Sequence, residues 1–287
     1  IRRPPLSTLL DSSAAAYVFK RQGEGRAKII TLVNSFHGRT MATLTATGQD
    51  VFHNYFFPFV EGFEYVEAGN LKAVAELVDK GDVCAIMMEL VQGEGGVIPL
   101  DKDFVDGVRN ICDDNDVLMI IDEVQTGVGR TGKFLAQEHF GIKAEITTLA
   151  KGLGGGLPIG AVLATEKCSN TLGFGMHGTT FGGNPIVCAG ANYVLARMDE
   201  DFLFEAEQKG EYLQEKLAQI DGIEQVSGLG LMIGFKVKDK TSSDFVKEGI
   251  KRGLIMLTAK QKVRLLPPLT ITYNEIDKAL EIIKSML

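Results

Sequence analysis

Cysteines, long apolar runs and blocks of like charge are all scarce in this sequence of 287 residues. The four cysteines are widely spaced and form no C-x-x-C pair, which predicts reduced, buried thiols rather than a disulfide framework or a metal site. The net charge of −7 is spread along the chain without a basic stripe. We therefore expect no binding to nucleic acid or to an anionic membrane, although a few arginines could recognise small anionic substrates.

Membrane-spanning and leader segments are also lacking. The longest apolar runs have five or six residues, whereas a membrane-spanning helix needs ~20. The opening residues Ile1–Pro5 carry two arginines with no apolar segment behind them, so we expect no signal peptide. Together these absences predict a cytoplasmic protein.

Short apolar runs that alternate with amphipathic stretches predict the fold. Runs of strand length that are apolar throughout are typical of strands buried on both faces of a parallel sheet. Four such runs are Ile29–Val33, Val83–Met88, Val117–Ile121 and Ala161–Ala164. Leu71–Val78 and Asp103–Asp113 have apolar residues three and four apart, as amphipathic helices do. The alternation predicts an α/β fold with a mostly parallel central sheet flanked by helices.

The last third of the chain has a different pattern. A helix is expected from Pro185 to about residue 198, because proline suits a first helical turn. Beyond it we predict strands at Gly228–Val237 and Gly253–Leu266 and helices at Ser243–Lys251 and Asn274–Met286. We therefore assign residues 1–200 to a large α/β domain and residues 201–287 to a smaller α+β domain.

Polar residues follow two of the predicted strands. Glu89 and a glycine-rich stretch come after Val83–Met88, and Asp122 comes directly after Val117–Ile121. Ligands of open α/β sheets bind outside the carboxyl ends of the strands, so a site is expected there.

Two glycine-rich segments compete as ligand loops. Gly127–Lys133 fits G-x-G-x-x-G and most of the P-loop pattern, but Phe134 replaces the hydroxyl residue and the glycines begin six residues after the strand. A nucleotide site is therefore a remote alternative, and a flexible surface loop is the preferred interpretation. Around Lys151, the glycines of Gly152–Gly160 would let backbone approach a bulky planar ligand. The apolar residues before Lys151 predict a partly desolvated, nucleophilic amine.

Six segments then point to one family. In chain order they are Asn34–Thr40, Glu89–Val97, Ile121–Gly127, Thr148–Gly156, His177–Pro185 and Val263–Pro268. With them the chain resembles the class III aminotransferases that use pyridoxal 5′-phosphate, and within these the branch that acts on N-acetylornithine. The resemblance implies a type I pyridoxal-phosphate transferase fold.

The same resemblance assigns cofactor roles. Lys151 would bind the aldehyde of pyridoxal phosphate covalently, and Asp122 would pair with the protonated pyridine nitrogen, keeping the ring an electron sink. Gln125 would donate a hydrogen bond to the phenolic oxygen of the ring. Val124 and Phe36 would cover the two ring faces.

Further residues are implied in substrate binding and assembly. Arg39 would bind the substrate α-carboxylate, and Arg264 the distal carboxylate of 2-oxoglutarate, both as bidentate pairs. Glu94 would pair with Arg264 while the amino donor is bound. Thr179 and Thr180 would reach the cofactor phosphate of a neighbouring subunit, which implies a homodimer with the site at its interface.

The expected reaction transfers the amino group of N-acetylornithine to 2-oxoglutarate, giving N-acetylglutamate 5-semialdehyde and glutamate in arginine biosynthesis. Ornithine, succinylornithine and 4-aminobutyrate aminotransferases of the same class are the alternatives.

The sequence departs from the family near its start. Family chains begin further upstream and carry a phosphate-binding Asn-Ser-Gly-[Thr/Ala]-Glu-Ala turn, of which Asp11–Ala16 is the nearest counterpart. Its hydroxyl residues Ser12 and Ser13 remain candidates for binding phosphate at a helix start. We expect family segments to be missing from the chain, with junctions at Leu10–Asp11, Gly69–Asn70 and Lys238–Ser243.

Overall fold

Two main sheets organise the structure, a computed structural model that describes residues 25–168, 175 and 177–287. The strands are β1 (Lys28–Leu32), β2 (Phe63–Val66), β3 (Val83–Met88), β4 (Val91–Gln92), β5 (Ile98–Pro99), β6 (Leu118–Asp122), β7 (Ile146–Leu149), β8 (Ala161–Ala164), β9 (Ile223–Leu229), β10 (Met232–Val237), β11 (Leu257–Ala259) and β12 (Lys262–Leu265). The helices are α1 (Met41–Ala46), α2 (Leu71–Val78), α3 (Lys102–Asp114), α4 (Gln137–Phe140), α5 (Pro185–Ala196), α6 (Glu200–Ala218), α7 (Ser242–Lys251) and α8 (Tyr273–Ser285). None of these helices is long and apolar enough to cross a membrane.

The central sheet has six strands in the order β2-β1-β3-β6-β7-β8. All neighbouring pairs are parallel except β7 and β8, which run antiparallel. β3 and β6 are buried along their whole length, as their continuous apolar runs predict. The expected parallel direction of Ala161–Ala164 was wrong. As an antiparallel edge strand, β8 needs burial on one face only, and its Leu163 is exposed.

Helices cover the sheet because each buries one apolar stripe against it. In α3, the side chain of Asp101 accepts hydrogen bonds from two backbone N–H groups of the first turn. The buried stripe of α3 contains Phe104, Val105, Val108 and Cys112, which belong to the same core as Ile86 and Met119 of the sheet. α5 begins at Pro185 as predicted, with the Asn184 side chain as its cap.

The second sheet is antiparallel, with the order β11-β12-β10-β9. Each long strand predicted in this region is in fact part of a hairpin. Gly230 and Lys260, both with positive φ, lie at the two turns, and chain reversal there ends the strands. Patterns of apolar residues alone did not mark these turns. α6, which the sequence patterns had left unassigned, packs its buried residues against this sheet.

The loop Gly127–Lys133 is not the surface loop that the sequence favoured, because most of it is buried between the two sheets. A Cβ on Gly129 would come within 3.0 Å of Leu203, and one on Gly132 within 2.5 Å of Glu207. Arg130 donates to the carbonyl oxygens of Leu231 and Pro267 at 3.0 and 2.6 Å. These glycines therefore serve close packing against the C-terminal elements.

Candidate functional site

The candidate site lies at the carboxyl edge of the central sheet, where the parallel strands β1, β3, β6 and β7 end. His37 follows β1, Glu89 follows β3, Asp122 ends β6 and Lys151 follows β7. Since the exits of parallel strands share one edge, residues far apart in sequence meet there. Hydrogen bonds and charge interactions connect these groups, so the edge is a single polar cluster in an apolar layer.

Asp122 is held by three groups. Its Oδ2 lies 2.9 Å from Nδ1 of His37, and its Oδ1 accepts from the Val124 N–H at 3.0 Å and the Thr148 hydroxyl at 3.3 Å. The carboxyl group is only 5% exposed, which holds it in one orientation. A carboxylate has about four acceptor positions, so one remains for a further donor in the site.

Glu89 is a second buried carboxyl group in the cluster. Its Oε2 accepts from the backbone N–H of Phe36 at 2.9 Å. Burial raises the pKa of Glu89 to about 7, and the charge of Asp122 adds to this rise while His37 and Lys151 oppose it. The group can therefore hold or release a proton near neutral pH.

Lys151 carries an unusual backbone conformation. Its φ is +44°, a region that costs a non-glycine residue strain and that commonly marks functional sites. A short 3-10 turn, Lys151–Gly154, begins at this residue. The expected desolvation of Lys151 is not found, because its side chain is exposed in the isolated chain. The neighbouring residues Gly155–Pro158 are exposed as well.

Arg264 and Glu94 form the expected ion pair. Nη1 of Arg264 lies 2.8 Å from Oε1 of Glu94 and 3.2 Å from Oε1 of Gln125. Arg264 is 6% exposed, and its Nε is buried without a hydrogen-bond partner among the residues that the structure describes. A buried donor without a partner is costly, and a carboxylate ligand would satisfy it. β12 thus brings a cation from the second sheet to the edge of the first.

The aromatic residue Phe36 and the arginine Arg39 lie together beside the cluster. The Phe36 ring contacts Phe52 edge-on at 5.4 Å, and the Arg39 guanidinium lies over the Phe52 ring at 4.9 Å. Arg39 is exposed, and no ion pair with it occurs among the described residues. Its fork of donors is therefore available to an anionic ligand.

The remaining expected cofactor residues are Thr179, Thr180, Ser12 and Ser13. Thr179 and Thr180 are exposed on the segment before α5, and no hydrogen bond joins them to Asp122 within the described chain. Ser12 and Ser13 lie outside the described residues. Their roles stay predictions.

Sequence reasoning named no role for His37, Glu89 or Thr148. His37 and Glu89 follow strands, and Thr148 is the second-to-last residue of β7, all at the edge where the site was expected. This position was the available signal. A position at the end of a strand indicates that a residue is near the site, but it does not identify the residue's hydrogen-bond partner. The pairing of His37 with Asp122 spans 85 positions in sequence and depends on strand order.

The residues present fit pyridoxal phosphate. Asp122 has an acceptor position left for a ring N–H, and the buried carboxyl groups Asp122 and Glu89 favour a cationic ring beside them. Lys151, on the next strand exit, provides the amine that an aldehyde requires. By contrast, the glycines of Gly127–Lys133 pack against protein, which leaves a nucleotide no phosphate cradle there.

Comparison with known sequences gives a consistent result. The family model described as Aminotransferase class-III matches residues 12–287. An acetylornithine aminotransferase from Haemophilus ducreyi is 47% identical over 275 residues, covering 96% of this chain and 70% of that protein. One from Bacillus subtilis is 43% identical, with 96% of this chain and 73% of that protein covered.

Solved structures agree in fold. An ornithine aminotransferase from Toxoplasma gondii superposes with a TM-score of 0.90 at 29% identity, covering 99% of this chain and 71% of that one. An N-acetylornithine aminotransferase from Stenotrophomonas maltophilia gives 0.83 at 28% identity, covering 99% and 73%. The type I fold and the pyridoxal-phosphate chemistry expected from the sequence are thereby confirmed. The chain belongs to the class III aminotransferases.

Proposed function

We propose that this enzyme transfers the amino group of N-acetylornithine to 2-oxoglutarate in the cytoplasm, as a step of arginine biosynthesis. The observation that carries the proposal is the ion pair of the buried Arg264 with Glu94, 2.8 Å apart beside Gln125. Paired with Glu94, Arg264 presents little net charge and suits a neutral acetamide. Released from Glu94, Arg264 suits the second carboxylate of 2-oxoglutarate.

The proposed roles at the strand exits follow from the geometry. Pyridoxal phosphate, when bound, supplies an electron sink for the charge that develops at the substrate Cα. Lys151 would hold the cofactor and then, once released, move the proton at the substrate Cα as general base and acid. Asp122 would keep a proton on the ring nitrogen, with His37 and Thr148 fixing its carboxylate. Val124 and Phe36 would lie against the ring faces.

Substrate binding needs two carboxylate sites, and the structure offers two arginines of different exposure. Arg39, exposed and stacked on Phe52, would take the α-carboxylate that every substrate of the reaction carries. Arg264, buried with a donor left over, would take the distal carboxylate of the acceptor. Glu94 is 30% exposed in its side chain and has room to leave Arg264.

The choice of amino donor is supported by the curated relatives, which are acetylornithine aminotransferases at 40–47% identity. Ornithine, succinylornithine and 4-aminobutyrate remain the competing donors. We expect the highest kcat/KM with N-acetylornithine when the four donors are compared at fixed 2-oxoglutarate. A preference for another donor would overturn the named substrate and leave the family intact.

A pair of variants tests the residue roles in the same assay. Lys151→Ala should abolish both the visible absorbance of the covalently bound cofactor and the activity.

Glu94→Ala should change the ratio of kcat/KM between donor and acceptor more than it changes kcat, because Glu94 acts on Arg264 and not on the Cα proton. Equal losses for all substrates would show that Glu94 is only structural.

We further propose that the working form is a homodimer with Thr179 and Thr180 reaching the partner's cofactor phosphate. Support comes from α5, which follows that segment and exposes Ile186, Tyr193 and Leu195. Large apolar side chains on one exposed element favour a protein partner, and a second copy is the simplest one. Among the described residues no cysteine forms a disulfide and three are buried, which supports the cytoplasmic assignment.

A further inference from the structure

The side-chain amide of Gln125 lies between Arg264 and the backbone of Gly93. Its Oε1 accepts from Nη1 of Arg264 at 3.2 Å. A Cβ on Gly93 would lie 2.4 Å from Oε1 and 2.6 Å from both Cδ and Nε2 of Gln125. The amide is therefore packed flat against Gly93 at a point where only a glycine leaves it room.

The contact with Arg264 fixes the direction of this amide. A guanidinium has five N–H donors and no acceptor, so the atom of Gln125 that faces it must be the carbonyl oxygen. The NH₂ group of Gln125 is thereby directed to the other side and can only donate. A donor is what an anionic phenolic oxygen of the cofactor requires, whereas a flipped amide would present a repelling oxygen.

We propose that Arg264 is a positioning residue for the cofactor, acting through Gln125, so that the occupant of the distal carboxylate site changes the hydrogen bond to the ring oxygen. This inference rests on the proposed function and on the role that the family resemblance implies for Gln125, which is to donate a hydrogen bond to that oxygen. Nη1 of Arg264 is shared between Glu94 and Gln125. A dicarboxylate that draws the guanidinium to itself therefore competes with Gln125 for the same donor.

The consequence is a chemical link between the distal carboxylate site and the protonation of the cofactor. A hydrogen bond donated to the ring oxygen withdraws charge from the nitrogen that joins the cofactor to Lys151 and favours loss of its proton. Losing that bond should raise the pH midpoint of the cofactor's visible absorbance by about half to one pH unit, from the size of one hydrogen bond. A dicarboxylate bound at Arg264 would thus change the protonation of the cofactor while it is joined to Lys151.

A double-mutant cycle on the holoenzyme tests the link by spectrophotometric pH titration. The four proteins are the wild type, Gln125→Leu, Arg264→Met and the double variant. Removing the positive charge of Arg264 acts through space equally in both backgrounds. We expect Arg264→Met to raise the midpoint by about half a pH unit more when Gln125 is present than when it is Leu. Equal shifts in the two backgrounds would overturn the inference.

A second measurement does not require a stable Arg264 variant. Glutarate, a dicarboxylate that cannot accept an amino group, should raise the midpoint more in the wild type than in Gln125→Leu. The same shift in both proteins would overturn the inference while leaving the proposed function in place. The absence of a cofactor band in the wild type would instead defeat the proposed role of Lys151, and the inference with it.

Discussion

At the scale of single residues, the carboxyl groups behind the strand exits determine how the site responds to pH. Glu89 and Glu123 are both buried, and burial raises the pKa of each. Glu123 is stabilised by the Thr126 hydroxyl and the Gln137 N–H, whereas within the described residues Glu89 accepts only from the N–H of Phe36. The ionised form of Glu89 is therefore less stabilised by hydrogen bonds than the ionised form of Glu123.

Replacing Glu89 by Gln should change the pH dependence of stability. The folded-state pKa, about 7, exceeds the ordinary value of 4.5. As pH rises through this window the unfolded chain loses its proton first, so the folded state loses stability, by roughly 3 kcal/mol in all. Urea unfolding of the apoprotein between pH 4.5 and 8 should show this fall in the wild type and not in Glu89→Gln. Parallel curves for the two proteins would contradict the buried, proton-holding carboxyl group.

At the scale of elements, glycines allow a helix, a turn and a loop to pack with their backbones in direct contact. A Cβ on Gly210 of α6 would lie 2.2 Å from the Gly230 backbone, and one on Gly230 would lie 2.4 Å from the Thr131 backbone. Backbone cannot move aside as a side-chain end can. The loop Gly127–Lys133, the β9–β10 turn and α6 therefore hold one another in place, together with Arg130.

Gly210→Ala should destabilise the protein although it improves helix propensity. Alanine favours a helix by ~1 kcal/mol over glycine, but the clash with backbone should outweigh this and leave a net cost of about 1–3 kcal/mol. Gly107→Ala in α3 is the matched control, because its Cβ would meet only the flexible end of Leu71. Denaturant unfolding measures the loss of unfolding free energy in each variant. Equal losses for Gly210→Ala and Gly107→Ala would argue against backbone contact at Gly210.

At the scale of the whole molecule, several residues of the candidate site are exposed to solvent in the isolated chain. Lys151, Thr179 and Thr180 are exposed, and so are large apolar residues of α5, including Ile186 and Tyr193 at 73% and 69%. Exposed apolar surface next to a reactive amine is expected when another protein surface excludes water from the site. A second subunit would do so.

The double variant Ile186→Asp/Tyr193→Asp should be monomeric and should lose pyridoxal phosphate more readily, because charges on α5 oppose its burial. Sedimentation velocity measures the assembly state, and visible absorbance after dialysis measures retained cofactor. Ile250→Asp on α7, also at an exposed apolar position (57%), is the control and should keep the assembly state of the wild type. An α5 variant that sediments like the wild type would contradict the proposed α5 interface.

Much of the fold and site was predictable from the sequence because it depends on local patterns. Continuous apolar runs located β3 and β6 to within one residue, and Pro185 located the start of α5. A lysine followed by glycines indicated Lys151, and an acidic residue at the end of a predicted strand indicated Asp122. These features follow from side-chain chemistry and short-range backbone preferences, which the order of residues carries directly.

Other features depend on which segments meet, and local patterns do not carry that information. The antiparallel direction of β8 and the His37–Asp122 pair depend on the strand order of the sheet. The burial of Gly127–Lys133 depends on the C-terminal elements that pack against it. The contact of Arg264 with Gln125 joins residues 139 positions apart. The sequence by itself determined the kind of chemistry; the tertiary structure decided which groups share a proton, a charge or a hydrogen bond, because those interactions act only over a few ångströms in space.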